Sequence, residues 1–500
     1  MNAFHIPVLA PEEILTGDFT AAVNGETLPV RRVRVTAFPF NTWWPGHQRP
    51  TDQTEFASYA TFSLTPGERV QMTVECRHKR VERVEIRPTA LGIVPQVDGQ
   101  RISFTLDKPC KFTVEVNGSS RCLHVFADEP ENYGVDIAAE NVIYFGRGVH
   151  HAGLIELTSG QTLYLDEGAH VYGSVFAKDA ENIRVLGRGV IDSSPYKRIQ
   201  EYTGKGLPGE EILTELREKN VMRGIGNVLM IDCKNVEIDG VIFTDPPEWS
   251  FNIYHSENVR IHNCKLIGLW RYNADGIDIY LGRNFEISGC FIRSFDDSVV
   301  ARGACGALDE DVFDNMLTHD CVLWCEWGRA IEIWTSERTA HMSNIVFRDC
   351  QILRTTHVAM DLQIYGSGPT YVQNVLCENI SVDFDRYADR PLYQKHDAQV
   401  YEKRENDDYM PILCFVGNAY PFLKPLNKTG LPADVHFTDV TFRNIHVNAH
   451  RMPQSIVKAI DGHMFPENIV FDGVYLNGEQ IRTVEEMNLS LTGGAEVSFK

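Results

Sequence analysis

The chain has 500 residues, 43% of them apolar and 23% charged, and carries a formal net charge of −21. That length calls for two domains or one elongated repeat domain, with an ordinary globular composition and no low-complexity tract. The acidic balance argues against a nucleic-acid partner and, more weakly, against a polyanionic one.

Up to about Asp128 the chain reads as short strands separated by turn signals. They are Arg31–Ala37, Ala57–Leu64, Val70–Glu75, Val81–Ile86, Ile102–Leu106, Phe112–Val116 and Leu123–Phe126. Alternation such as Val70-Gln71-Met72-Thr73-Val74 has the period of half-buried antiparallel strands. An N-terminal β-sandwich over residues 1–132 is expected, closed by the linker Glu129-Pro130-Glu131-Asn132.

After the linker the texture changes. An Asn or Asp followed by an alternating strand recurs at Asn182, Asn235, Asn258, Asn284, Asn344, Asn374, Asp439 and Asn468. A period of about 25 residues with β-content and no helical spacing signals a parallel β-helix, here over residues 133–500. The shorter steps fit single laps, and the steps 182 to 235, 284 to 344 and 374 to 439 fit two laps with insertions. The repeated Asn reads as a stacked amide ladder at a turn. Two insertions interrupt the coils: Gly209–Arg223, with helical spacing, and Arg386–Asp408, highly charged and loop-like. Each is a candidate wall for a cleft or a contact in a homo-oligomer.

Asn273-Ala274-Asp275-Gly276-Ile277-Asp278 and Ser294-Phe295-Asp296-Asp297-Ser298 lie about one lap apart. Parallel neighbours are about 4.8 Å apart, so Asp275 is expected to stack with Asp296, beside Asp297 and Asp278. Like charges packed together raise one carboxyl pKa and so make a proton donor at neutral pH. The rival reading is a set of turn aspartates bonding local amides; three in lap register favour chemistry.

From these motifs the chain resembles the β-helical glycoside hydrolases, the family 28 polygalacturonases and family 49 dextranases, over roughly Tyr144 to Val474. The sandwich followed by a helix is similar to the dextranase arrangement. The resemblance implies inverting hydrolysis, with Asp296 as general acid and Asp275 and Asp297 activating water, and no cofactor or metal. Asp278 is an added candidate for holding a sugar hydroxyl. Two departures stand out. Where polygalacturonases have Gly-His-Gly, this chain has Trp327-Gly328-Arg329, followed by Glu332. Where they have an Arg-x-Lys clamp for a carboxylate, it has Asp361-Leu362-Gln363. A cationic clamp suits a uronate; an acid and an amide suit neutral hydroxyls, so a neutral or mixed glycan is preferred to pectin.

Arg329 and Glu332 read equally as a surface salt bridge. Trp270 and Trp327 flank the acidic motifs and are the candidate sugar platforms, among five tryptophans in this region. His357, before the Asp361 strand, is the preferred histidine for binding. Arg271 and Arg302 either orient the acids or only balance charge. Twelve cysteines are too sparse for a disulfide scaffold, and Cys321 and Cys325 lack a second pair at zinc spacing. Cys264, Cys290 and Cys350 recur at one point of the repeat, where a thiol packs as a small apolar residue. Reduced thiols, the lack of an export signal and the lack of a membrane span give a cytoplasmic expectation, with secretion only for a processed form. The rivals to hydrolysis are a calcium-dependent polysaccharide lyase, with Arg302 or Arg329 as base, and a non-catalytic glycan-binding β-helix.

Overall fold

A computed structural model describes residues 3–36, 54–196, 225–303, 311–335, 340–364, 369–384, 392–393, 402–403, 410–418 and 434–500. The N-terminal part is two facing sheets. One is built on Thr54–Leu64, Leu123–Asp128, Cys110–Val116 and Val84–Arg87, with Phe4–His5 and Arg31–Thr36 against Thr54–Leu64. The other runs Glu26–Leu28, Phe19–Val23, Val70–Cys76, Arg101–Leu106 and Gln96–Asp98. Period-2 residues such as Val70, Met72 and Val74 point between the sheets and are buried. One pair departs from the antiparallel expectation: Leu123–Asp128 runs parallel to Thr54–Leu64.

Residues 129–141 connect the sandwich to Val142–Phe145, the first strand of a long coil. Each lap contributes strands that pair in parallel with the laps before and after, in three columns. One column passes through Lys265–Leu266, Phe291–Ser294, Val322–Cys325 and Gln351–Arg354. A second passes through the first half of Ile277–Ser288, then Val299–Arg302, Arg329–Thr335, Val358–Ile364 and Ile412–Asn418. The third includes Asp311–His319, Ala340–Arg348, Thr370–Glu378 and Val435–Ala449. Inward residues of all three columns form one apolar interior running the length of the coil.

The repeated Asn is a ladder. The amide of Asn235 donates to Asn182 at 3.1 Å, Asn258 to Asn235 at 2.9 Å, Asn284 to Asn258 at 2.9 Å and Asn315 to Asn284 at 2.9 Å. Each of these residues has a left-handed φ between 54° and 63°, a conformation that Asn tolerates best after Gly. The ladder also corrects the lap count. Asn182 bonds Asn235 directly, and Thr370–Glu378 pairs directly with Val435–Ala449. Those two steps are therefore single laps whose extra residues loop out between strands. Only the step from Asn284 to Asn344 holds two laps, with Asn315 between. The Gly209–Arg223 insertion lies outside the described residues. Of Arg386–Asp408, Leu392–Tyr393 and Glu402–Lys403 are described, and they pair antiparallel.

The sandwich packs against the first column. Val33, Val35, Ala57, Tyr59, Cys122 and Phe126 meet Val190, Ile242, Ile267, Phe291, Val322, Trp324 and Leu353 in one buried apolar layer. Buried charges cross the same junction in pairs: Lys265 with Asp128, Arg354 with Glu115 at 2.6 Å, and Arg87 with Asp383 at 3.1 Å. All eleven described cysteines are free thiols. Cys321 continues the run Cys264, Cys290, Cys350, because the residues that follow them are in register.

Candidate active site

The acids lie where the chain passes from the sandwich-facing column into the second column. Asn273 adopts φ 59°, and the Ala274 amide closes a turn on the Arg271 carbonyl at 3.1 Å. Gly276 then donates to the Asp297 carbonyl at 2.7 Å, and a Cβ on Gly276 would lie 2.3 Å from the Ser298 carbonyl oxygen. Only glycine lets these laps approach, which explains the last letter of Asn-x-Asp-Gly. The next lap's turn is tied down at the Asp296 carbonyl, which accepts from Ser294 Oγ at 2.6 Å and Cys325 Sγ at 3.1 Å. Cys325 thus belongs to this turn, whereas Cys321 belongs to the ladder of interior thiols.

Register refines the expected stacking. Ile277 pairs with Val299, so the lap neighbour of Asp275 is Asp297, and Asp296 stands one step earlier. Asn273 bridges the group, its amide 3.3 Å from Asp275 Oδ1 and 3.4 Å from Asp296 Oδ2. Asp275, Asp278, Asp296 and Asp297 are all buried. On the following laps Asp278 aligns with Val300, Glu332 and Asp361, and Arg302 with Trp334 and Gln363.

Two arginines divide these carboxylates. Arg302 donates from Nε to Asp278 Oδ1 at 2.5 Å and from Nη2 to Asp275 Oδ2 at 3.0 Å, and lies 3.8 Å from Asp297. Its guanidinium stacks over Trp249 at 4.3 Å, Trp334 at 5.0 Å and Tyr280 at 5.6 Å. An aromatic box of this kind holds a cation without neutralising it. Arg329 donates to Asp297 twice, from its backbone amide at 2.8 Å and from Nη1 at 3.3 Å, and from Nε to Asp361 at 3.2 Å. Its Nε is 3.6 Å from Glu332. Arg329 and Glu332 are thus a buried pair inside the acid group, not a surface bridge. Arg271 instead reaches Asp245 at 2.8 Å and the carbonyls of Tyr196 and Ser194.

The electrostatics separate the acids into two kinds. Burial would raise the Asp297 carboxyl, but Arg329 and Arg302 outweigh it and hold it below the usual carboxylate range. Burial and the neighbouring Asp297 charge push Asp296 well above that range. Burial and the charges of Asp278, Asp296 and Asp297 do the same to Asp275, despite Arg302. Glu332 is raised by burial and Asp297, and Asp361 is raised by burial to about 7. Among the described residues, Asp296 has no ion pair with Arg329 or Arg302, which are engaged with the other acids.

Gly328 is a site residue that motif reading passed over. A Cβ there would lie 2.3 Å from both Asp296 Oδ1 and Asp297 Oδ1. Its amide donates to Cys325 Sγ at 3.0 Å. The signal was present in the sequence as the glycine beside Arg329. Trp249 and Trp334 were likewise missed; they box Arg302, a role no local motif announces.

Both expected sugar platforms are buried. Trp327 is fully buried in the coil interior, stacked on Phe295 with centroids 6.0 Å apart. It offers no open face to a sugar ring, because its position points inward between laps. Trp270 lies between Arg34 of the sandwich at 5.6 Å and Arg271 at 5.4 Å. His357 is buried edge-on to Trp327 at 4.8 Å, and its backbone amide bonds the Gly328 carbonyl at 3.3 Å.

No family model matches the chain. It is 24% identical over 263 residues to a dextranase of Arthrobacter sp. (strain CB-8), covering 48% of this chain and 37% of that protein. It is 21% identical over 321 residues to an isopullulanase of Aspergillus niger, covering 55% and 53%. The chain therefore spans about a third to a half of the length of these relatives. The structure of Dex49A from Penicillium minioluteum superposes over 100% of this chain and 96% of its own, with a TM-score of 0.61 at 13% identity. Sandwich, coil and alignments together bear out the resemblance to the β-helical glycoside hydrolases: the chain has the fold of Dex49A, a sandwich followed by a parallel coil, and is similar in sequence to a dextranase and an isopullulanase. No helix among the described residues is long and apolar enough to cross a membrane.

Proposed function

We propose that the chain hydrolyses an α-glucosidic bond of a neutral glucan with inversion at the anomeric carbon. One observation carries the reading: Asp297 is held ionised by two arginines, while its neighbour Asp296 is raised and has no ion pair with either. Pairs of acids pushed apart in this way take opposite roles in proton transfer. Asp296 gives its proton to the glycosidic oxygen as the bond from C1 to that oxygen breaks. A water attacks C1 from the opposite face and loses a proton to Asp297. Asp275, tied to Arg302 and Asn273, borders the place of that water. The α-glucan class is supported by what the aligned relatives are called, a dextranase and an isopullulanase.

The test is release of reducing ends from dextran, pullulan and polygalacturonate by the wild type, Asp296→Asn and Asp297→Asn. Each substitution is expected to lower kcat on the α-glucan by about 10³-fold, within the range for removing a positioned acid or base. Turnover of polygalacturonate alone, or an unsaturated product absorbing in the ultraviolet, would contradict the reading. The second outcome would instead indicate elimination.

A further inference from the structure

The seam between sandwich and coil holds a second polar space, lined by none of the acids of the candidate active site. Its empty volume is about 390 Å³, and Arg31, Arg188 and Lys265 line it with Asp128, Glu167 and Gly240. Three cations converge there on one carboxylate. Lys265 donates to Asp128, Lys111 lies 3.5 Å from it and Arg188 3.8 Å. Lys265 and Asp128 are 1% and 6% exposed. Arg188 Nη1 is buried and makes no hydrogen bond among the described residues. Its guanidinium otherwise reaches the Glu129 carbonyl at 3.5 Å and the Tyr133 ring at 5.7 Å. Arg31 donates to Thr61 Oγ1 at 3.2 Å and stays 3.7 Å from Glu13. The other acids around the seam are engaged: Glu167 with His5 at 2.8 Å, Glu13 with His170 at 3.2 Å and Asp239 with the Tyr133 hydroxyl at 2.9 Å.

Buried charge persists when it is paired, and a buried donor when something accepts from it. Here one carboxylate serves three cations, and a guanidinium nitrogen faces a space instead of an acceptor. We infer that the seam binds one small inorganic anion, chloride or phosphate, between Arg188, Lys265 and Arg31, and that this anion helps to tie the sandwich to the coil. The inference is independent of the hydrolase reading. A chain of net charge −21 offers anions no general attraction, so the attraction is local to this surplus of cations. Gly240 keeps the room: at φ 83°, a Cβ there would lie 2.7 Å from Arg188 Nη1. Burial brings Lys265 down to about 7 despite Asp128, and Arg188 and Lys111 add to the fall. An anion beside the ammonium favours its charged form, so by linkage the anion binds more tightly below pH 7 than above it.

The experiment is thermal unfolding of the full chain in sodium gluconate, replaced stepwise by chloride or phosphate at constant ionic strength. The wild-type midpoint is expected to rise by about 1–2 °C for each tenfold increase in the bound anion. With chloride, which does not titrate, the rise should begin at about tenfold lower concentration at pH 6 than at pH 8. Arg188→Gln should remove the rise. A response to one anion alone supports the site and names its occupant as halide or oxyanion. A midpoint that follows neither anion, or follows them equally in a folded Arg188→Gln, would overturn the inference. Should that variant fail to fold, the wild type decides: the same chloride response at both pH values would overturn it.

Discussion

Arg329 stands where the resemblance to polygalacturonases would put a histidine, and its contacts are those of a guanidinium, not of an imidazole. An arginine is always charged and presents a planar fork of donors; here one side of it meets Asp297 and another meets Asp361. That fork keeps Asp297 ionised to lower pH than an unassisted carboxylate. Arg329→Lys replaces it with a single point charge and raises the Asp297 pKa. The acid-side limb of the pH profile of kcat/KM is then expected to move to higher pH, while the alkaline limb, set by Asp296, stays. Measuring that profile for the wild type and variant checks the assignment; an unmoved acid limb would mean that Asp297 is not the base. Asp361 works in the opposite direction. Its pKa is raised from 3.8 to about 7 by burial, so its contribution to stability is fully present below pH 3.8 and is lost as pH rises to about 7. At this scale the three aspartates were legible from lap spacing and from the cost of clustering like charges. The protonation of each was not, because it depends on which guanidinium lies within hydrogen-bonding reach.

The elements show why some of the pattern reads reliably. The Asn repeat, the columns and the interior thiols follow from a short motif that recurs at every lap, so one residue's environment is copied many times. Asn284 is the clearest case, donating to Asn258 and accepting from Asn315 at φ 63°. Asn284→Ala loses both bonds and leaves alanine in the left-handed region. The expected loss is about 2 kcal/mol, read as a lower midpoint of chemical unfolding, with activity per folded molecule retained. The pattern misleads where it is interrupted. The steps from Asn182 to Asn235 and from Asn374 to Asp439 look like two laps because an insertion lengthens sequence without changing register. Trp327 looks like a surface platform because its flanking motif is acidic, although the chain turns its ring into the core.

For the whole molecule, the sandwich is part of the scaffold of the site rather than an attached module. Arg34 lies over Trp270, and a Cβ on Gly268 would meet Val33, so the sandwich braces the turn that leads into Asn273 and Asp275. The buried apolar layer and the crossing ion pairs join the two parts along several laps. None of this was legible in the sequence, because docking between domains follows no local period. The central claim for the assembled molecule is inverting hydrolysis by Asp296 and Asp297. Its most direct test is proton NMR of the anomeric signals during digestion of dextran and pullulan by the wild type and Asp296→Asn. The account predicts that the wild type releases the β-anomer first, with the α-anomer appearing only by mutarotation, and that Asp296→Asn releases neither at a comparable rate. Initial release of the α-anomer, or an undiminished rate from Asp296→Asn, would contradict it.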